Sequence, residues 1–182
     1  MKKLRLLITT KCHKNCDGCC NKDWDLSGLP VCNDYSQYGV IMFTGGEPML
    51  NIARTLKIAL EIKEANPTAY LYVYTALMYP DWGLMSLLLR VIDGITLTIH
   101  DQRDANGFVF YHNKIYQETR LVSKVYSLRL NVFKDCNLFP IEMPVKETEV
   151  YDTWDVRDNI EWIKDCPLPD GEIFMRYEKT PL

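Results

Sequence analysis

The chain has 182 residues, 47% hydrophobic and 25% charged, with 21 basic against 24 acidic side chains and a formal net charge of −3. That length suits a single domain spanning 1–182, since domains run to about 100–200 residues, and the apolar content excludes a chain disordered throughout. The near-balance of charge argues against a broad nucleic-acid or anionic-membrane surface. No segment reaches the ~20 apolar residues of a membrane span. Leu6-Leu7-Ile8, after Met1-Lys2-Lys3, is too short for a signal-peptide core. Seven cysteines are an awkward number for a disulfide framework. These limits describe a soluble, cytoplasmic protein of a reducing compartment, whose cysteines bind metal, do redox work or pack in the core.

Apolar segments of strand length recur at 4–10, 39–44, 69–75, 94–100 and 128–133, rich in the Ile, Val, Leu, Tyr and Thr that suit a pleated surface. A helix is expected over 51–65, where Ile52, Leu56, Ala59 and Leu60 fall on one face and Asn66-Pro67 ends it. Further helices are expected over 82–90, 114–124 and 155–164. Pro140 and Pro144 loosen the pattern after Phe133, and 173–177 is a last apolar piece. Strands alternating with helices imply βα units on a parallel sheet, hence an α/β fold with helices outside. The core is expected over about 1–135, with an irregular C-terminal extension over 136–182.

Strand parity separates Leu71, Val73, Ile95, Leu97, Ile99, Leu128, Leu130 and Val132 from Tyr70, Tyr72, Tyr74, Thr96, Thr98, His100, Arg129 and Asn131. The apolar parity should pack under helices. The polar parity either lines the inside of an incomplete barrel or forms a solvated sheet face. A filled eight-stranded barrel needs about 250 residues and an aliphatic lining, which this chain lacks.

Four of the seven cysteines fall in Cys12-His13-Lys14-Asn15-Cys16-Asp17-Gly18-Cys19-Cys20, directly after the first strand. In parallel α/β folds the C-terminal strand edge is where sites are built. The spacing lets one loop present Cys12, Cys16 and Cys19 to one centre, and thiolates select iron–sulfur clusters or zinc. Three cysteines leave one iron of a 4Fe–4S cluster open to another ligand. Cys20, beside Cys19, reads as packing, and His13 as exposed. Thr44-Gly45-Gly46-Glu47-Pro48 follows the second strand, its glycines allowing close backbone approach and its proline fixing the turn before the helix. A structural zinc module could draw on Cys12, Cys16, Cys19 and either Cys20 or His13. It would lack the second, separated ligand pair usual for such sites.

These motifs resemble the radical S-adenosylmethionine superfamily: Cys12, Cys16 and Cys19 after the first strand, Gly45-Gly46-Glu47-Pro48 after the second, and βα order to about Phe133. The resemblance implies a partial (β/α)6 TIM-like barrel whose three cysteines hold a 4Fe–4S cluster. The fourth iron is chelated by S-adenosylmethionine, which an electron cleaves to methionine and a 5′-deoxyadenosyl radical that abstracts hydrogen from substrate. It further implies an electron donor such as flavodoxin or ferredoxin. Gly45, Gly46, Glu47 and Pro48 match the segment that meets the methionyl amino group. Thr75, Thr98, His100, Arg129 and Asn131, near the later strand ends, are nominated for ribose and carboxylate, and Arg129 suits a carboxylate because its fork binds bidentately. The family often has an aromatic residue before the third cysteine, where this chain has Gly18. Gly18, Asn21-Lys22 and Trp24 resemble the small activases that place a glycyl radical on a large partner enzyme. The Gly-Gly-Glu-Pro form and the length are also similar to 7-carboxy-7-deazaguanine synthase, although Cys20-Asn21 stands where that family has Asp-Thr. Cys32, Cys136 and Cys166 read as isolated thiols.

Overall fold

The computed structural model describes residues 1–121, 124, 126–139, 146–163 and 165–180. Pro140, Pro144 and Lys164 lie outside them, as do residues 122 and 123 near the end of the expected third helix. Eight strands, β1 (Lys3–Thr9), β2 (Val31–Cys32), β3 (Val40–Gly45), β4 (Tyr70–Thr75), β5 (Gly94–Ile99), β6 (Ser127–Phe133), β7 (Asp155–Ile160) and β8 (Glu172–Tyr177), form one sheet in the order β2-β8-β1-β3-β4-β5-β6-β7. Every pairing is parallel. Among the described residues four α-helices accompany it: α1 (Ile52–Ala65), α2 (Trp82–Leu89), α3 (Gln102–Leu121) and α4 (Glu147–Thr153). The fold is α/β. Among the described residues no helix is long and apolar enough to cross a membrane.

Capping sets the helix starts. The Asn51 side chain accepts from the Arg54 N–H, and that of Asp81 from the Leu84 N–H, as N-cap residues do. α1 buries Ile52, Thr55, Ile58, Ala59 and Ile62, so its inner face is rotated from the expected one, and Leu60 is exposed. α3 begins twelve residues before the expected 114, at Gln102. Asp101 receives the Arg103 and Asp104 N–H groups there, and Ala105, Phe108, Tyr111, His112 and Ile115 face the core.

One sheet face carries the core. Leu4, Leu6, Ile41, Phe43, Leu71, Val73, Ile95, Leu97, Leu128 and Leu130 are buried with the inner faces of the helices, as the parity implies. The opposite face holds Arg5, Tyr72, Tyr74, Thr98, Arg129 and Asn131, all but Tyr72 and Tyr74 non-aromatic and polar, and none fully buried.

The C-terminal part departs from expectation. Residues 155–160 form strand β7, not a helix, and the helix of this region is α4, immediately before it. β8 lies between β2 and β1, its Glu172 to Arg176 in register with Lys3 to Leu7. The tail is therefore part of the sheet rather than an irregular extension.

Candidate functional site

The loops after β1 and β3 are bound to each other by their backbones. The Gly46 N–H donates to the Thr9 carbonyl and the Glu47 N–H to the Lys11 carbonyl, both at 2.7 Å. A Cβ on Gly46 would sit 2.1 Å from the Lys11 carbonyl oxygen, so only glycine permits this contact. Gly45 has φ +114°, a conformation L side chains rarely adopt. Its carbonyl accepts from Asn21 Nδ2 at 2.6 Å, which ties the far end of the cysteine loop to the same turn.

Glu47 is buried at 2% exposure and accepts three hydrogen bonds, from Met49 N, Thr75 Oγ1 and Ala76 N. Burial pushes its carboxyl above the ordinary range, and the three donors oppose that shift. Glu47 thus locks the end of β3 to the end of β4. Pro48 is buried in the first turn that follows and borders a different pocket.

On the cysteine loop, Lys14 reaches back to the start of α3, where its Nζ lies 2.6 and 2.8 Å from the two oxygens of Asp104. The Asp104 carboxylate also accepts from the His100 N–H. This buried acid anchors the loop to the end of β5.

The result is a cavity of about 230 Å³ at the C-terminal edge of β1, β3, β4 and β5. Cys12, Cys16, Cys19, Gly45, Gly46, Glu47, Thr75, Thr98 and His100, nine of the residues singled out in the sequence, border it. Arg129 and Asn131 do not. Arg129 lies on β6 with its Nε 3.5 Å from Asp155, and Asn131 pairs in register with Thr98 and Arg157. The structure adds Arg5, Lys14, Asn21, Trp24, Tyr74 and Trp162 to the lining. Of these, Arg5 was visible as a charge within an otherwise apolar strand. Trp162 comes from the tail and only the fold brings it here.

Trp162 covers one side of the cavity. Its ring stacks on His100 at 5.3 Å and lies against Phe133 at 4.4 Å. A Cβ on Gly18 would collide with this indole, at 2.3 Å from its Cγ. Cys20 and Cys166 form a disulfide, so Cys20 is not mere packing and Cys166 is not an isolated thiol. The Cys166 carbonyl also accepts from Trp24 Nε1. Cys32 and Cys136 are free.

The chemistry of the donors suits a thiolate-bound metal centre. The Cys12 and Cys16 thiols are pushed up mainly by burial, and the Glu47 carboxylate adds to this at Cys12. Among the described residues no three Cys, His, Asp or Glu side chains stand in metal-ligand arrangement. What the thiols share is a cavity and a loop, and closing them on a metal requires the loop to tighten. His100 brings a buried ring nitrogen, Nδ1, that has no hydrogen-bond partner among the described residues and lies 3.8 Å from Asp104 Oδ2. Burial holds its imidazole below the ordinary histidine range, hence neutral near pH 7. No protein-family model and no curated protein matches the chain.

Proposed function

We propose that the chain is a radical S-adenosylmethionine enzyme and that its sheet is the wall of a partial (β/α)6 barrel. One observation carries the proposal: the loop bearing Cys12, Cys16 and Cys19 and the turn at Gly45, Gly46 and Glu47 are hydrogen-bonded to each other at one end of a parallel sheet, and both border one cavity. Cys12, Cys16 and Cys19 are the residues that would hold a 4Fe–4S cluster, leaving an open coordination position of the kind catalytic metal centres keep. The chemistry such a cluster supplies when bound is one-electron reductive cleavage of S-adenosylmethionine, giving a radical that takes hydrogen from substrate.

The chain's own residues position and shield. Gly45 and Gly46 bring unshielded backbone to the cavity. Thr75, Thr98 and His100 offer polar groups along its wall, although Thr75 Oγ1 is already committed to Glu47. Lys14, through Asp104, and Asn21, through Gly45, fix the two ends of the cysteine loop. Trp162 forms part of one wall of the cavity, where its indole narrows the space open to water.

Anaerobic reconstitution with iron and sulfide tests the metal centre. The expected product is a brown protein with about four irons per chain. Cys16→Ala should abolish that absorbance and Cys32→Ala should retain it, because Cys32 lies on β2, among residues of the core. Tightly bound zinc in place of iron would establish the structural-zinc reading instead.

A further inference from the structure

We propose that the sheet face opposite the helices carries an anion site, built on Arg129 and Arg157, that anchors the carboxylate or phosphate of a small-molecule substrate. The word substrate rests on the enzyme reading above; the anion site itself does not.

Leu128, Leu130, Val132 and Val156 pack into the core. Alternation along the strands therefore places Arg129 and Arg157 on the other face. There both guanidinium groups converge on one carboxylate: Arg157 donates to Asp155 at 3.1 Å and Arg129 Nε lies 3.5 Å from the same oxygen. Two cations against one anion leave one positive charge uncompensated. A guanidinium has five N–H donors. Among the described residues Arg157 uses one of them in a hydrogen bond and Arg129 uses none. Both side chains are about half exposed, at 58% and 48%, so the unused donors are open to a ligand.

The rest of this face has the same bias. Arg5 spends its fork on Glu172, with donors at 2.9 and 2.8 Å, while Arg176 has no acidic partner among the described residues. Four arginines against two acids make this face positive on a chain whose net charge is −3. That charge complements an anion.

Register supplies the length of the ligand. Thr98 on the cavity rim pairs with Asn131, and Asn131 with Arg157. Two strand spacings separate rim from anchor, about 10 Å. A small molecule of that span, held by its anionic group on Arg129 and Arg157, presents its other end at the cavity.

The test is titration of the full chain with inorganic phosphate and, separately, succinate at constant ionic strength, following the backbone amide signals of Asn131 and Asp155. Saturable shifts are expected, with affinity at least about tenfold weaker in an Arg129→Gln/Arg157→Gln double variant, as loss of charge-assisted hydrogen bonds implies. Saturation by phosphate alone points to a phosphate ester, and by succinate alone to a carboxylate. Shifts that never saturate, or that are unchanged in the variant, overturn the site. Iron loading measured on the same two proteins keeps the readings apart. An anion site that fails on an iron-loaded chain removes this inference only, whereas a chain that binds anions but takes up no iron removes the enzyme reading.

Discussion

Gly46 and Gly171 make opposite demands on a substituting side chain. At Gly46 a Cβ meets a backbone carbonyl that cannot yield, whereas at Gly171 nothing lies within 4 Å but φ is +77°. Gly46→Ala should therefore cost roughly 2–3 kcal/mol through overpacking and impair iron loading by pushing the two loops apart. Gly171→Ala should cost only about 1 kcal/mol of backbone strain and leave iron loading intact. Urea unfolding beside iron analysis separates the two, and a Gly46→Ala protein as stable as its parent would contradict the loop geometry. His112 governs a second residue-scale expectation. It is buried, its Nδ1 accepts from Trp154 Nε1 at 3.1 Å, and burial lowers its pKa from 6.5. The folded state thus binds fewer protons than the unfolded one in the window from that lowered value up to 6.5. This contribution to stability is present above pH 6.5 and lost as pH falls through the window. His112→Gln keeps an acceptor but removes the titration, so its urea midpoint should fall less between pH 7.5 and 5 than that of the parent. Equal pH slopes would exclude this role.

At the scale of elements, the disulfide is the strongest tether between tail and site. It joins residues separated by 146 positions, and a loop of that length gives a loop-closure stabilisation of at most about 5 kcal/mol. Dithiothreitol should lower the urea midpoint of the parent and leave a Cys20→Ser/Cys166→Ser variant unmoved. Equal sensitivity of both proteins would mean the bridge does not hold the tail. The elements also show where sequence patterns mislead. Val156 and Ile160 stand four apart, a helical spacing, yet the segment pairs with β6 as the last strand of the sheet order. Its run of charged residues suits an edge strand, where charge discourages further pairing. A tertiary pairing thus overrode local periodicity. In α3, Phe108, Tyr111, His112 and Ile115 do keep helical spacing, but Gly107 and the bulky aromatic residues weaken the propensity that would have extended the reading back to Asp101. β1, β3, β4, β5 and β6 were legible because each is an apolar run of strand length, buried on one side.

For the whole molecule, β8 decides what counts as the folding unit. Because it pairs with both β1 and β2, a chain ending at residue 135 loses β7, β8 and the partner of β2. Such a truncation should show no cooperative urea transition, while the full chain unfolds in one. The candidate site divides along the same line. The cysteine loop and the glycine turn were readable because each follows its strand directly, which places both at one sheet edge. Trp162, the Cys20–Cys166 bridge and the Lys14–Asp104 anchor were not, since each joins residues far apart in sequence that only the sheet order brings together. Arg129 was nominated as a cofactor contact by the family resemblance; its neighbour Arg157 came into view only when β7 proved to be a strand. The chemistry proposed for the thiol-lined cavity is tested most directly by reconstituting the chain anaerobically, reducing it with dithionite in the presence of S-adenosylmethionine, and measuring 5′-deoxyadenosine. The parent protein should form 5′-deoxyadenosine and Cys12→Ala, Cys16→Ala and Cys19→Ala none; an iron-loaded parent that forms none would contradict the proposed function.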